Sequence, residues 1–334
     1  MQPDRVVDDT TPGGSLATRA FSGDRVALAR AISLVENEAP AAAAILAAAF
    51  PRTGQAVRIG ITGPPGAGKS TLTAQLARVH RAAGRTVAVV AVDPTSPFSG
   101  GALLGDRVRM YALAGDDGVF IRSMASRGSL GGLAGTTSDV CDVLEAAGFE
   151  RILIETVGVG QSELEVAEAA DTTLVVLVPE SGDAVQAMKA GLMEIGDVFA
   201  MNKADREGAE RAAHAIRSMI HLGTRRDEWE PPVCLTVAQT GQGGEELDAT
   251  LARHLDHLAA RGGLVHRRRR RLGERIDAHV SARMKARSLA RVSQARRDEI
   301  LGRVEERRMT PSDAARTLFD EAWPDGAAPT RSTP

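Results

Sequence analysis

Short, nearly continuous apolar runs alternate with helical segments from Val57 to about Leu258. The runs are Val57–Thr62, Thr86–Val92, Val119–Arg122, Arg151–Ile154, Thr172–Val178, Asp197–Met201 and Val233–Val237. Several lack the in–out alternation of a half-solvated strand and read instead as strands covered on both faces. The pattern therefore predicts an α/β fold built on a mostly parallel, doubly wound sheet. Two helices are expected ahead of it, Arg25–Glu36 capped by Asp24 and Ala41–Phe50 with Pro40 in its first turn. Residues 1–15 are rich in Asp, Thr, Pro and Gly without apolar periodicity and read as a disordered lead.

After Leu258 the chain turns to Arg-rich helix. His266–Arg271 opens a long segment reaching about Arg308, and Thr310 caps a further helix with Pro311 at its first position and Asp313 in its first turn. Leu272, Ile276, Val280 and Met284 recur four apart, a stripe the sheet need not cover and a partner subunit would.

Composition narrows the class. With 334 residues, 43% of them hydrophobic, the chain can bury one large core with helical additions at its ends, and 3% aromatics leave the packing to Ala, Val, Leu and Ile. A net charge of −2 provides no global attraction to nucleic acid or membrane. No apolar run approaches a membrane span and the amino terminus is too polar for a secretory signal, so a cytoplasmic protein is expected. Cys141 and Cys234 read as buried thiols. The seven histidines form no ligand cluster, which argues against a metal site made by protein ligands alone.

Four segments carry chemistry. Gly63-Pro64-Pro65-Gly66-Ala67-Gly68-Lys69-Ser70 stands between the first strand and a helix beginning near Thr71, the setting of a P-loop. Its glycines let backbone N–H groups turn inward around an anion at a helix amino terminus. Lys69 is then placed to reach the β- and γ-phosphates and Ser70 to bind Mg²⁺. Asn202-Lys203-Ala204-Asp205 follows the sixth strand. A carboxylate at Asp205 accepts from both N1–H and the 2-amino group of guanine, donors adenine does not offer together, while Lys203 lays its stem on the base and Asn202 ties the loop to the P-loop. Val237, Ala238 and Gln239 follow the last strand, where the Ala238 amide is placed to meet guanine O6. Glu155-Thr156-Val157-Gly158 ends the fourth strand: Glu155 is placed to hold Mg²⁺, and the Gly158 amide to sense the γ-phosphate. Asp93, ending the second strand, adds a carboxylate to the same site. Lys69, Asp93 and Glu155 are the candidate catalytic residues, and Ser70, Asp93 and Glu155 the candidate Mg²⁺ ligands.

Asp93–Phe98, Gly100–Met110, Ile121–Gly132, Glu155–Glu165 and Pro179–Ile195 resemble the MeaB/ArgK family of GTPases, which includes the methylmalonic aciduria type A protein. The likeness covers roughly residues 20–260 and, more loosely, the helical arm. It implies a P-loop GTPase domain at 56–262, an N-terminal helical extension at 16–55, a C-terminal helical dimerisation arm at 263–323 and a disordered tail at 324–334. It also implies switch roles for Asp93, Asp106 and Arg109, for Glu155–Glu163, and for Glu180–Lys189, within which Asp183 and Lys189 are spaced to exchange charge partners. The family activity is that of a GTP-driven chaperone for a cobalamin-dependent acyl-CoA mutase. It gates adenosylcobalamin loading and helps eject damaged cofactor, acts as a homodimer, and has a cobalamin adenosyltransferase as a further partner. Cobalamin would thus enter only through the partner enzyme.

Three other readings compete. A metallochaperone GTPase of the hydrogenase or urease maturation type shares this P-loop class but usually carries Cys- or His-rich segments, which this chain lacks. A nucleic-acid-binding module is suggested by Arg267–Arg271, yet nearby acids neutralise the run and no aromatics are interleaved for base stacking. ATP-dependent phosphotransfer would require preference for ATP over GTP.

Overall fold

The computed structural model describes residues 12–94, 113, 115–126, 132–156, 162–179, 191–222 and 229–323. The chain divides into two compact units, Met1–Leu272 and Gly273–Pro334.

In the first unit β1 (Val57–Thr62), β2 (Val87–Pro94), β3 (Val119–Ser126), β4 (Arg151–Thr156), β5 (Thr172–Leu177), β6 (Val198–Asn202) and β7 (Val233–Thr236) make one sheet. Among the described residues its order is β3-β2-β4-β1-β5-β6-β7 and every neighbouring pair is parallel. All seven runs read from the sequence are strands. β2, β3, β4 and β6 extend past the carboxyl ends expected of them, because ladder hydrogen bonds carry the backbone beyond the apolar run into polar residues such as Glu155, Thr156 and Asn202. Hydropathy does not register those positions, and they are where the site is built.

Alternate strand residues feed opposite faces. Val90, Val92, Ile152 and Ile154 pack with α2 (Arg25–Glu36), α3 (Ala42–Ala49), α5 (Gly132–Ala146) and α6 (Ser162–Ala169). Ile59, Ile61, Val89, Leu153, Leu174 and Val176 pack with α4 (Lys69–Ala82) and α9 (Gly244–Ala260). Val175, Leu177 and Phe199 meet α7 (Leu192–Ile195) and α8 (Ala209–Leu222). Burying each large aliphatic side chain stabilises by about 1.5–3 kcal/mol, so this two-sided core holds the carboxyl edge rigidly enough to build on.

The amino-terminal helices differ in detail from expectation. Asp24 caps α2 by accepting from the Val26 and Ala27 N–H groups. A first helix, α1 (Pro12–Phe21), already begins at Pro12, so residues 12–15 are helical and not part of a lead. Proline suits a first turn because its missing N–H would be unpaired there anyway. α3 starts at Ala42, beyond the reach of Pro40, and a 3₁₀ turn takes over at Phe50.

α10 (Gly263–Arg291) opens in the first unit and runs on as one helix into the second. The long helix expected to reach Arg308 is interrupted. Ser293 caps a new helix, α11 (Gln294–Glu305), by accepting from the Arg296 N–H. In the second unit α12 (Pro311–Ala322) is capped by Thr310 through the Asp313 N–H. Arg291 lies over the Trp323 ring, 4.0 Å from its centroid, and donates to the Ala322 carbonyl. The division between the compact units falls after Leu272, within the span of α10. No helix among the described residues is long and apolar enough to cross a membrane.

Candidate nucleotide site

The loop from Gly63 to Gly68 joins β1, the central strand, to α4. Gly63, Gly66 and Gly68 have φ of 139°, 77° and 87°, values that β-carbons disfavour. Two of them are also sterically required. A β-carbon on Gly63 would lie 2.1 Å from the Val176 carbonyl oxygen of β5, and one on Gly68 would lie 2.5 Å from Asn202 Nδ2. The loop is thus moulded against β5 on one side and the end of β6 on the other. Pro64 and Ala67 are buried within it, Pro65 and Gly66 exposed, and Thr71 half-buried in the first turn of α4.

Lys69 is buried and its Nζ donates to the Gly63 and Pro64 carbonyls at 2.8 and 3.0 Å. These bonds fold the side chain back over the loop. Ser70, the next residue of α4, donates from its hydroxyl to Glu155 Oε1 at 2.5 Å. The register Ile61↔Glu155 places Glu155 beside the last residues of β1, and the Thr156 hydroxyl donates to the Thr62 hydroxyl at 3.3 Å. In α6, Glu163 is buried. That burial pushes its carboxyl up, and the Lys69 charge works against the shift.

Asn202 closes the other side. Its Nδ2 donates to the Ala67 carbonyl at 2.8 Å, joining β6 to the P-loop as its motif position suggests. Its Oδ1 accepts from the Ala238 N–H at 3.1 Å and from the Thr236 hydroxyl at 3.3 Å. The Ala238 N–H, expected to meet a guanine O6, is therefore engaged with Asn202 here, and one buried amide fastens three loops. Thr236 is a residue the sequence reading did not assign. Its only local signal is a hydroxyl at a strand end, and its partner is fixed by β6–β7 pairing. Lys203 has a left-handed φ of 57°, and the Ala204 N–H donates to the Thr236 carbonyl at 3.0 Å. This turn leaves Asp205 exposed, with Val237 buried and Gln239 exposed on the neighbouring loop.

The backbone of Asp93 lies near the end of β2, paired in register with Ala125. Asp106, Arg109, Gly158, Asp183 and Lys189 lie outside the described residues. So do most of the segments expected to switch.

A central parallel strand feeding a glycine-rich loop into a helix, with lysine, serine and a neighbouring-strand carboxylate converging there, defines the class as a P-loop nucleotide-binding protein. The match to the family described as Methylmalonyl Co-A mutase-associated GTPase MeaB spans residues 28–293, and the chain belongs to that family. A putative GTPase of Pyrococcus abyssi is 47% identical over 309 residues, covering 92% of this chain and 95% of that protein. The GTPase ArgK of Escherichia coli is 39% identical over 254 residues, covering 74% of this chain and 77% of that one. A crystal structure described as a LAO/AO transport system kinase superposes with a TM-score of 0.70 at 28% identity, covering 96% of this chain and 98% of that chain. The chain is a GTPase.

Proposed function

We propose that this GTPase serves a cobalamin-dependent acyl-CoA mutase, methylmalonyl-CoA mutase in the first place. It hydrolyses GTP to time the loading of adenosylcobalamin and to protect or reactivate the mutase. The observation that carries the reading is the family match over residues 28–293, whose description names a mutase association. Direct hydrogen bonds joining Ser70 to Glu155 and Asn202 to Ala67 and Ala238 support the reading of the site as a nucleotide-driven timer.

Within the site, the backbone amides of residues 63–71 would cradle the phosphates and Lys69 would leave the Gly63 and Pro64 carbonyls for the β- and γ-oxygens. Ser70 and Glu155 offer hard oxygen ligands side by side and fit Mg²⁺, with Asp93 as a third candidate. When bound, Mg²⁺ supplies charge neutralisation at the phosphates. Asp205 would read the guanine edge, Lys203 would cover its face, and the turn Val237–Gln239 would line its rim. Asp106, Arg109, Gly158, Asp183 and Lys189 are the proposed switch residues.

We also assign the arm, residues 263–323, to homodimerisation, with 56–262 as the GTPase domain. Ile276, Val280 and Met284 are 62%, 50% and 48% exposed, an apolar stripe a second copy would cover. A cytoplasmic location and contact with a cobalamin adenosyltransferase belong to the same proposal. The test is affinity capture from the native cell with the protein held in a GTP analogue or in GDP, followed by hydrolysis measured with the captured enzyme. Recovery of a cobalamin mutase that accelerates hydrolysis is expected, and capture without any cobalamin enzyme would overturn the assignment.

A further inference from the structure

The arginine run has a defined target at the amino-terminal edge of the sheet, the edge away from the nucleotide site. Arg267 donates from both terminal nitrogens to the two Asp197 oxygens, each at 2.7 Å. Arg268 donates to Asp171 from Nε at 3.1 Å and Nη2 at 2.9 Å, and to the Gly54 and Ala56 carbonyls. Arg271 donates to Asp171 Oδ1 from both terminal nitrogens at 3.3 Å and to the Ala169 carbonyl. Burial pushes the wholly buried Asp171 carboxyl up, but hydrogen bonding to Arg268 and the charges of Arg271, Arg268 and Arg58 outweigh it and hold the group below its ordinary value. Arg58 is itself compensated by Asp142 at 2.5 Å and Glu145 at 3.3 Å.

Asp171 does more than absorb charge. Its Oδ2 accepts the Arg58 backbone N–H at 3.1 Å, and its own N–H donates to the Arg58 carbonyl at 2.8 Å. These two bonds begin the β1–β5 ladder, which runs in register from Ile59↔Thr172 to Thr62↔Val175. One residue further along each strand, Gly63 lies so close to the Val176 carbonyl that it has no room for a β-carbon. The ladder that Asp171 opens is therefore the one that ends on the first glycine of the P-loop, about 16 Å away along an extended strand. Gly63 in turn accepts from Lys69.

Buried ionic clusters are seldom the most stabilising way to fill a space, and a well-packed apolar group often does as well. What this one provides is directional hydrogen bonding to the backbone at the start of the β1–β5 pair.

We propose that Asp171, held by Arg268 and Arg271, is a positioning residue for GTP: it sets the placement of β5 against β1 and through it the shape of the P-loop. The proposal rests on the GTPase activity of the chain and is independent of any mutase. Steady-state hydrolysis by full-length Asp171→Ala and Asp171→Asn variants tests it. Asparagine keeps an oxygen acceptor for the Arg58 N–H, and alanine does not. A misplaced P-loop weakens ground-state and transition-state binding alike, so Asp171→Ala is expected to raise KM for GTP about tenfold with little change in kcat, and Asp171→Asn to recover most of it. A purely structural role would reduce the active fraction and lower apparent kcat at unchanged KM. That result, or equal KM in the two variants, overturns the proposal. If Asp171→Ala does not fold, the Arg268→Lys/Arg271→Lys variant carries the test, since lysine lacks the fork that holds the carboxylate. Raised KM with faster amide exchange over Ile59–Gly63 is then expected, and the parent KM refutes it.

Discussion

The Ser70 hydroxyl and Glu155 Oε1 are 2.5 Å apart, joined across the boundary between α4 and β4 by a direct hydrogen bond. Ser70, in the first turn of the P-loop helix, and Glu155, next to last in the neighbouring strand, thus form one hydrogen-bonded pair. The two oxygens would be the ones to hold Mg²⁺ there.

Ser70→Ala and Glu155→Gln should each weaken Mg²⁺-supported GTP binding about 10- to 100-fold, the range seen when a supporting metal interaction is lost. Calorimetric titration with and without EDTA checks this. An affinity deficit that persists unchanged in EDTA would show that the pair does not act through a cation.

Lys69→Ala should abolish hydrolysis while the chain stays folded, since the lysine donates to the Gly63 and Pro64 carbonyls of its own loop and a seven-stranded core holds the rest. Phosphate release and a melting curve are the two measurements. Full activity in the variant would remove the P-loop from the mechanism.

Asn202→Ala strips partners from the Ala67 carbonyl and the Ala238 N–H together. Each buried polar group left unpaired costs about 1–3 kcal/mol, so a clear fall in urea midpoint and a loss of GTP affinity should appear in the same variant. Parent-like stability would mean that the three loops are fastened elsewhere.

Asp205→Asn should lower GTP affinity and improve relative binding of xanthosine nucleotides, because the amide presents a donor where guanine needs an acceptor. Competition between the two nucleotides for the purified protein decides it. Unchanged base preference would count against Asp205.

His80, near the carboxyl end of α4, is buried, with Asp248 at 3.4 Å. Burial is the main cause that pushes its imidazole from an ordinary 6.5 down to about 4; Asp248 opposes the shift and Arg151 and Arg85 assist it. Between those values the unfolded chain binds the extra proton, so stability is intact above about 6.5 and is lost as pH falls toward about 4, by up to ~3 kcal/mol. Thermal unfolding across this window should show a shallower pH dependence in His80→Asn than in the parent. Identical slopes would assign the acid sensitivity to other groups.

Sequence alone determined the strands and the P-loop motif between the first of them and its helix, because both are local. A run of β-branched and aliphatic residues or the spacing of Gly63, Gly66, Gly68 and Lys69 has its meaning within a few residues of chain. What it left out are polar extensions of strands, which carry no hydropathy signal, and partners distant along the chain. Glu155 meets Ser70 because β4 is inserted beside β1. Asn202 reaches Ala67 and Ala238 because β6 ends between their loops, and the Arg267–Arg271 run reads as a solvated helix face until Asp171 and Asp197 are placed beneath it. Strand order is a property of the whole core, set by how faces bury against helices, so only the tertiary structure could decide which of these residues meet.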